Sequence, residues 1–133
     1  MKYLCIISTF LFFAVSCNHE SGPAPESVAD DFLTAYYQVD FDRISSLCVS
    51  GSVLRSDMER NAQSFNGYAP EVQDKWRNDL AAYSFRIEQV YSNRAKDSAF
   101  VSYTIFAPEA PEGIASRLTL IKEESEWRVA GLL

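Results

Sequence analysis

The chain has 133 residues, of which 47% are hydrophobic and 14% aromatic. This composition is typical of a small globular domain and excludes a disordered chain. The formal charge is −6 at pH 7, and no run of Lys or Arg is present. Since an acidic surface repels phosphates, we expect no nucleic-acid partner and no membrane binding through a basic face.

Residues 1–16 have the organisation of a secretory signal peptide. A positive charge at Lys2 precedes an apolar segment that is shorter than the about 20 residues that span a bilayer. The sequence Ala14–Val15–Ser16–Cys17 resembles the lipobox of bacterial lipoproteins, although Ala stands where that motif most often has Leu. The resemblance implies cleavage before Cys17 and lipid attachment to its thiol. The alternative is an ordinary signal peptide with a chance Cys near its end.

Residues 17–25 are predicted to form a flexible tether, because Ser, Gly and Pro dominate its second half. Asn18 rather than Asp follows Cys17, and under the common bacterial sorting pattern this favours the outer membrane, with the protein facing the periplasm. The only His, His19, lies in this tether. A His-dependent catalytic triad or a multi-His metal site in the folded part is therefore excluded, and we predict neither metal nor cofactor.

Residues 26–133 are predicted to form the folded domain, whose first half has four helices. Apolar side chains recur at helical spacing over residues 26–38, and each helix has a recognisable start or end signal. These signals are a capping box at Ser27, a cap at Asp40, a start at Ser56 with an end at Asn66–Gly67, and Pro70 in a first turn. We interpret Cys48 as a buried apolar residue because it follows Leu47 on an apolar helix face.

From Tyr83 onward the hydrophobic period changes from helical spacing to two, which predicts strands. The four runs are residues 83–91, 99–105, 118–122 and 127–129, and Tyr91 is assigned to the apolar face of the first. Residues 107–113, which include two prolines, are predicted to be a loop. One apolar and one polar face predict an antiparallel sheet whose apolar face the helices cover, hence an α+β fold in two layers.

Three segments together resemble the nuclear-transport-factor-2-like and ketosteroid-isomerase-like superfamily. They are the helix Phe32–Tyr37 leading into Asp40–Asp42, the strand Ala99–Ile105, and the closing hairpin Leu118–Val129. The greatest likeness is to small bacterial lipoproteins of unknown function, some labelled lumazine-binding-like. The resemblance implies a cone-like domain, with N-terminal helices on a curved antiparallel sheet of about four strands. In the last hairpin, Glu124–Ser125–Glu126 departs from the Gly-containing turn that is common there.

Four aromatic residues, Tyr36, Trp76, Tyr103 and Trp127, fall on faces predicted to point inward. They either fill the core or line a pocket of the cone. We predict no catalytic residue, because no Gly-rich phosphate loop, nucleophile elbow or sheltered pair of carboxylates is recognisable. We therefore expect a lipid-anchored envelope protein that acts as a binding or interaction module with an unidentified ligand. The alternatives are an isomerase or lyase, or a carrier of small aromatic ligands, each using the cone pocket.

Three apolar residues, Phe100, Phe106 and Ile121, fall on the polar face of the predicted sheet. They share this face with Arg86, Arg117 and Arg128. Aromatic and apolar side chains among arginines are typical of protein–protein interfaces. We expect this face either to be solvated or to pair two copies of the chain in a homodimer.

Overall fold

A computed structural model describes residues 22–133, so the predicted signal peptide, Cys17 and His19 lie outside the described residues. Four helices precede four strands, which confirms the α+β prediction. They are α1 (Pro25–Tyr37), α2 (Phe41–Leu47), α3 (Val53–Asn66), α4 (Pro70–Ala81), β1 (Ser84–Ser92), β2 (Ser98–Ala107), β3 (Ala110–Glu123) and β4 (Glu126–Leu132). None of the helices within residues 22–133 is both long enough and apolar enough to cross a membrane.

The core lies between α1 and one face of the sheet, whose strands run antiparallel in the order β1-β2-β3-β4. Phe32 and Leu33 of α1 are at most 2% exposed. They pack with inward-facing strand residues that are equally inaccessible, namely Val101, Leu118, Leu120 and Val129. Burying one such side chain contributes roughly 1.5–3 kcal/mol, so this layer supplies the main stabilisation of the domain.

The helix boundaries are close to the predicted ones, with two corrections at their starts. The Asp40 carboxylate accepts a hydrogen bond from the Arg43 N–H at 3.1 Å, which confirms the predicted cap of α2. The capping box at Ser27 is wrong, because α1 begins at Pro25, whose fixed φ suits a first helical residue. Helix α3 begins a turn earlier than predicted, because Ser52 rather than Ser56 caps it.

A bulge at Glu88 in β1 corrects the predicted position of Tyr91. Ile87 pairs with Tyr103 and Gln89 pairs with Ser102, so Glu88 is an extra residue in β1. One extra residue exchanges the two faces for the remainder of a strand. Tyr91 is consequently on the outer face and 55% exposed.

The predicted loop over residues 107–113 is also wrong. Strands β2 and β3 are separated only by Pro108 and Glu109. Three residues of β3, 111–113, stand opposite the single residue Phe106 and form a bulge. Pro111 fits within β3 because a residue in this bulge does not have to donate an N–H to the neighbouring strand. Gly113 ends this bulge with φ +91, and a Cβ there would lie 2.4 Å from the Thr104 methyl group.

The closing hairpin turns without glycine. Glu124 and Ser125 both have positive φ, 51° and 68°. Two central residues with positive φ are what a type I′ hairpin turn needs, and its twist matches that of the flanking strands. The departure from a Gly-containing turn therefore leaves the hairpin intact, and β4 pairs with β3 as far as Leu132.

Candidate ligand-binding site

A cleft of about 470 Å³ lies between the end of α1, the end of α3, and α4. Five aromatic side chains line this aromatic cleft: Tyr36, Phe41, Phe65, Tyr68 and Trp76. Val39, Leu80, Asn61, Ser64 and Asp79 complete its wall. The described residues that line it include one carboxylate and no Lys, Arg or His.

The connection from α1 to α2 positions one side of the aromatic cleft. The Val39 N–H donates to the Tyr36 carbonyl at 3.2 Å, and the Asp40 N–H donates to the Ala35 carbonyl at 2.9 Å. These are the two bonds of a Schellman ending, in which Val39 occupies the position that glycine usually takes. Its φ of 58° is unfavourable for a β-branched residue. Burial of Val39, which is 7% exposed, offsets this strain and places Tyr36 and Phe41 on the same wall.

The corner between α3 and α4 forms the opposite wall. The rings of Phe65 and Trp76 lie 6.3 Å apart at 62°, and those of Tyr68 and Trp76 lie 5.9 Å apart at 42°. These inclined arrangements are typical of favourable aromatic pairs. The Gln73 amide donates to the carbonyls of Phe65 and Tyr68 at 3.1 and 3.0 Å, which fixes α4 to the end of α3.

Helix α4 lies at the margin of the helical layer and contributes no buried residue. Trp76 is 45% exposed, so its prediction as an inward-facing residue is wrong. Tyr36 is 37% exposed, because its side chain, like that of Trp76, lies beside the cleft and not in the core. The structure thus brings these two predicted residues together, each with much of its surface accessible.

The other two predicted residues lie elsewhere. Trp127 is 5% exposed and belongs to the core, with the Lys122 ammonium 5.4 Å from its ring centroid. Tyr103 is 4% exposed on the inner face of β2, opposite Ile87 and Ser116. Neither lines the aromatic cleft.

A second depression, of about 650 Å³, lies on the side of α4 that faces β1. Tyr37 stacks there on Tyr83 and Phe85, with ring centroids 5.7 and 6.2 Å apart. Burial raises the pKa of the Tyr37 hydroxyl to about 12, and the neighbouring hydroxyls of Tyr103, Tyr36 and Tyr83 add to the shift. This depression is more open to solvent than the aromatic cleft and is walled by helix and strand ends.

The carboxylates within residues 22–133 are poorly placed for acid–base chemistry, because no polar or charged side chain in this part of the chain is buried. The Tyr83 hydroxyl donates to Glu109 at 2.6 Å, and this bond lowers the pKa of the Glu109 carboxyl. Hydrogen bonds from Arg86 and Ser50 likewise lower the pKa values of Glu88 and Glu123. A general acid at neutral pH needs the opposite shift.

Cys48 is buried, as predicted, and its thiol donates to the Ile44 carbonyl at 3.3 Å. Burial raises the pKa of this thiol to about 11, which keeps it protonated and unreactive at neutral pH. No three His, Cys, Asp or Glu side chains of the described residues converge as metal ligands would.

The outer face of the sheet carries the three apolar residues singled out in the sequence, which we call the outer-face patch: Phe100, Phe106 and Ile121. Phe100 is 45% and Ile121 38% exposed, whereas Phe106 is half-buried. The guanidinium groups of Arg117 and Arg86 lie over the rings of Phe100 and Phe106, at 5.5 and 5.2 Å. Arg128 stands opposite Ile121 on the neighbouring strand, and its guanidinium donates to the Ser46 carbonyl at 2.6 Å.

Known structures with the same architecture were found at low sequence identity. An NTF2-like protein of unknown function from Shewanella oneidensis MR-1 superimposes with a TM-score of 0.52 at 9% identity, over 80% of this chain and 92% of its own. The chain has the NTF2-like fold. A Campylobacter jejuni protein, provisionally named an NTF2-like transpeptidase, gives a TM-score of 0.50 at 20% identity, over 80% and 97%. No protein-family model matches the sequence, and no curated protein matches it.

The raised pKa of Tyr37 predicts a loss of stability in alkali. An unfolded tyrosine loses its proton near pH 10, whereas folded Tyr37 keeps it to about pH 12, so the unfolded state is favoured as the pH rises between these values. We expect Tyr37 alone to lower the free energy of unfolding there by less than about 1.4 kcal/mol per pH unit, since it is only half-buried. Cys48, Tyr83 and Tyr103, whose pKa values are also raised, add their own falls. Urea titrations should show a shallower fall for Tyr37→Phe. An identical slope in both proteins would contradict the assignment.

Proposed function

We propose that the chain is a lipid-anchored envelope protein whose domain binds a small ligand in the aromatic cleft without catalysing a reaction. The shape and lining of the cleft support this proposal, because five aromatic side chains enclose a space of about 470 Å³. Ligand sites are typically concave, 300–1,000 Å³ in volume, and lined by aromatic and apolar side chains with a few polar groups. Asn61, Ser64 and Asp79 supply such polar groups here.

The accessible ring surface favours a planar ligand. Trp76 and Tyr68 are 45% and 40% exposed, although both contact neighbouring rings. When a flat apolar molecule covers large aromatic surfaces that are otherwise in contact with water, removal of both surfaces from water stabilises the complex. Binding would therefore complete packing that the helices leave unfinished.

The described carboxylates favour binding over the alternative of an isomerase or lyase. The one carboxylate lining the cleft, Asp79, is paired with the ammonium group of Lys75. Both side chains are more than half exposed, and such an exposed carboxylate lacks the apolar surroundings that make a strong catalytic base or acid.

A neutral methylquinoline is a suitable planar probe for the aromatic cleft. We expect it to raise the melting temperature of the full chain in detergent. Trp76→Ala should weaken its affinity about fivefold or more, because a stacking surface is lost. Tyr91→Ala, which removes an exposed aromatic residue from the other side of the sheet, is the matched control and should bind normally. Equal binding by the two variants would place the ligand outside the cleft, and no binding to the unmutated chain would refute the proposal.

The membrane attachment is proposed at Cys17, on the resemblance of its surroundings to a lipobox. The acidic composition supports a covalent anchor, because a chain of charge −6 gains nothing from anionic headgroups. Two or more acyl chains hold a protein stably on a bilayer. The periplasmic face of the outer membrane is the proposed location, following Asn18.

Metabolic labelling with an alkyne fatty acid tests the anchor. The full chain should be labelled and should sediment with membranes, whereas Cys17→Ser should be unlabelled, because it lacks the acceptor thiol. Cys5→Ser is the matched control and should keep the label, since Cys5 belongs to the segment that is cleaved off. Persistent labelling of Cys17→Ser would contradict the proposal.

We also propose that the outer-face patch pairs two copies of the chain. Phe100 and Ile121 expose apolar surface, and the same face carries both Arg117 and Glu88. A face with both charge signs can complement itself across a two-fold axis, as a symmetric dimer requires.

Cysteine cross-linking in intact cells tests the dimer, because Cys48 is buried and unreactive. Phe100→Cys, Thr119→Cys and Ile121→Cys place thiols across the outer-face patch, and at least one should form a disulfide-linked dimer. Val53→Cys on α3, at a position that is 78% exposed, is the control. Cross-linking at the patch no greater than at Val53 would rule this interface out.

A further inference from the structure

We propose that the ligand of the aromatic cleft carries a positive charge, so that the site recognises a flat organic cation. This inference rests on the proposed function and names the chemical class of its ligand. Three features of the cleft support it independently: the helix ends that border it, the charges on its wall, and the nature of its rings.

Three helices end at the aromatic cleft. The last turns of α1, α3 and α4 contribute Tyr36, Phe65 and Leu80 to its wall. A helix carries a partial negative charge at its carboxyl end, which a Lys, Arg or His in the last turn usually offsets. None of these three last turns contains a basic residue.

Helix α4 borders the cleft from Tyr68, just before its start, to Leu80, so its own dipole adds little there. The Asp40 carboxylate offsets the positive amino end of α2 beside Phe41. The carboxyl ends of α1 and α3 therefore give the cleft a negative potential.

The charged groups at the wall act in the same direction. Asp79 is the charged residue among the described lining residues. Its ion-pair partner Lys75 lies one helical turn earlier in α4 and is exposed to solvent. The side chains of the pair are 72% and 60% exposed for Lys75 and Asp79. An ion pair so exposed adds little stability, so Asp79 can exchange Lys75 for a cation in the cleft.

The rings themselves attract cations. The face of an aromatic ring carries partial negative charge, and it attracts a cation within about 6 Å of its centre, most strongly at Trp. Phe65 already holds one cation in this way, since the Arg77 guanidinium lies 5.1 Å from its centroid. Arg77 belongs to the wall of the second depression. Phe65 also lines the aromatic cleft, and with Arg77 over this ring the rings left to surround a ligand are those of Trp76, Tyr68 and Tyr36.

Two probes of nearly equal shape separate charge from stacking: N-methylquinolinium, a permanent cation, and a neutral methylquinoline. We expect the full chain in detergent to bind the cation about tenfold more tightly at low ionic strength, measured by calorimetry. Because the difference is electrostatic, it should shrink in high salt.

Two variants on α4 test the source of the preference. Asp79→Asn should weaken binding of N-methylquinolinium about twofold to fivefold, whereas Lys75→Gln should strengthen it about twofold by releasing Asp79. Lys75→Gln, which lies outside the cleft wall, should leave the affinity for the neutral methylquinoline unchanged. The far-ultraviolet circular dichroism of both variants should match that of the unmutated chain, which shows that both are folded. Their opposite signs distinguish a charge effect from general damage to α4.

The outcomes separate this inference from the proposed function. If the neutral methylquinoline binds as tightly as the cation, or if Asp79→Asn and Lys75→Gln act in the same direction, the cation inference fails while the cleft remains a ligand site. If neither probe binds, both fail.

Discussion

The packing of α1 against the inner face of the sheet is the constraint on which the other features depend. Phe32 and Leu33 belong to the same buried cluster as Val101, Leu118 and Val129, so α1 closes off the centre of the sheet's inner face. Helices α2 and α3 extend this layer, whereas α4 contributes no buried residue and stays at its margin. The aromatic cleft is a consequence of this arrangement, because α4 approaches the ends of α1 and α3 without entering the core.

The parts of the fold that periodicity controls could be predicted from the sequence, and those that depend on irregularities could not. The alternation at Leu118 and Leu120 gave the inner face correctly because the extra residue of the β3–β4 pairing, Ala130, lies in β4 and leaves β3 regular there. Tyr91 was misplaced because one extra residue in β1 exchanged the faces, and no local composition marks a bulge at Glu88. Pro111 suggested a loop because a proline interrupts a regular ladder, yet a bulge opposite Phe106 removes the need for its N–H.

The candidate site shows the same division. Tyr36 and Trp76 could be identified as aromatic residues on apolar helix faces, but the sequence could not tell that their faces meet at a cleft instead of the core. Phe65 and Tyr68 were missed, although an aromatic residue on each side of the Asn66–Gly67 helix end was a visible signal. Their role depends on the angle between α3 and α4. The Gln73 side chain fixes this angle by its hydrogen bonds to the carbonyls of Phe65 and Tyr68, and no helical periodicity indicates such bonds.

Small molecules are expected to bind between the helices and not inside the sheet. The two tryptophans report on these places separately, since Trp76 lines the cleft and Trp127 lies in the core. Nuclear magnetic resonance of their indole N–H groups during titration with a methylquinoline distinguishes the two places. The Trp76 resonance should shift, and the Trp127 resonance should not. A shift confined to Trp127 would place the ligand in the sheet interior and rule out binding in the aromatic cleft.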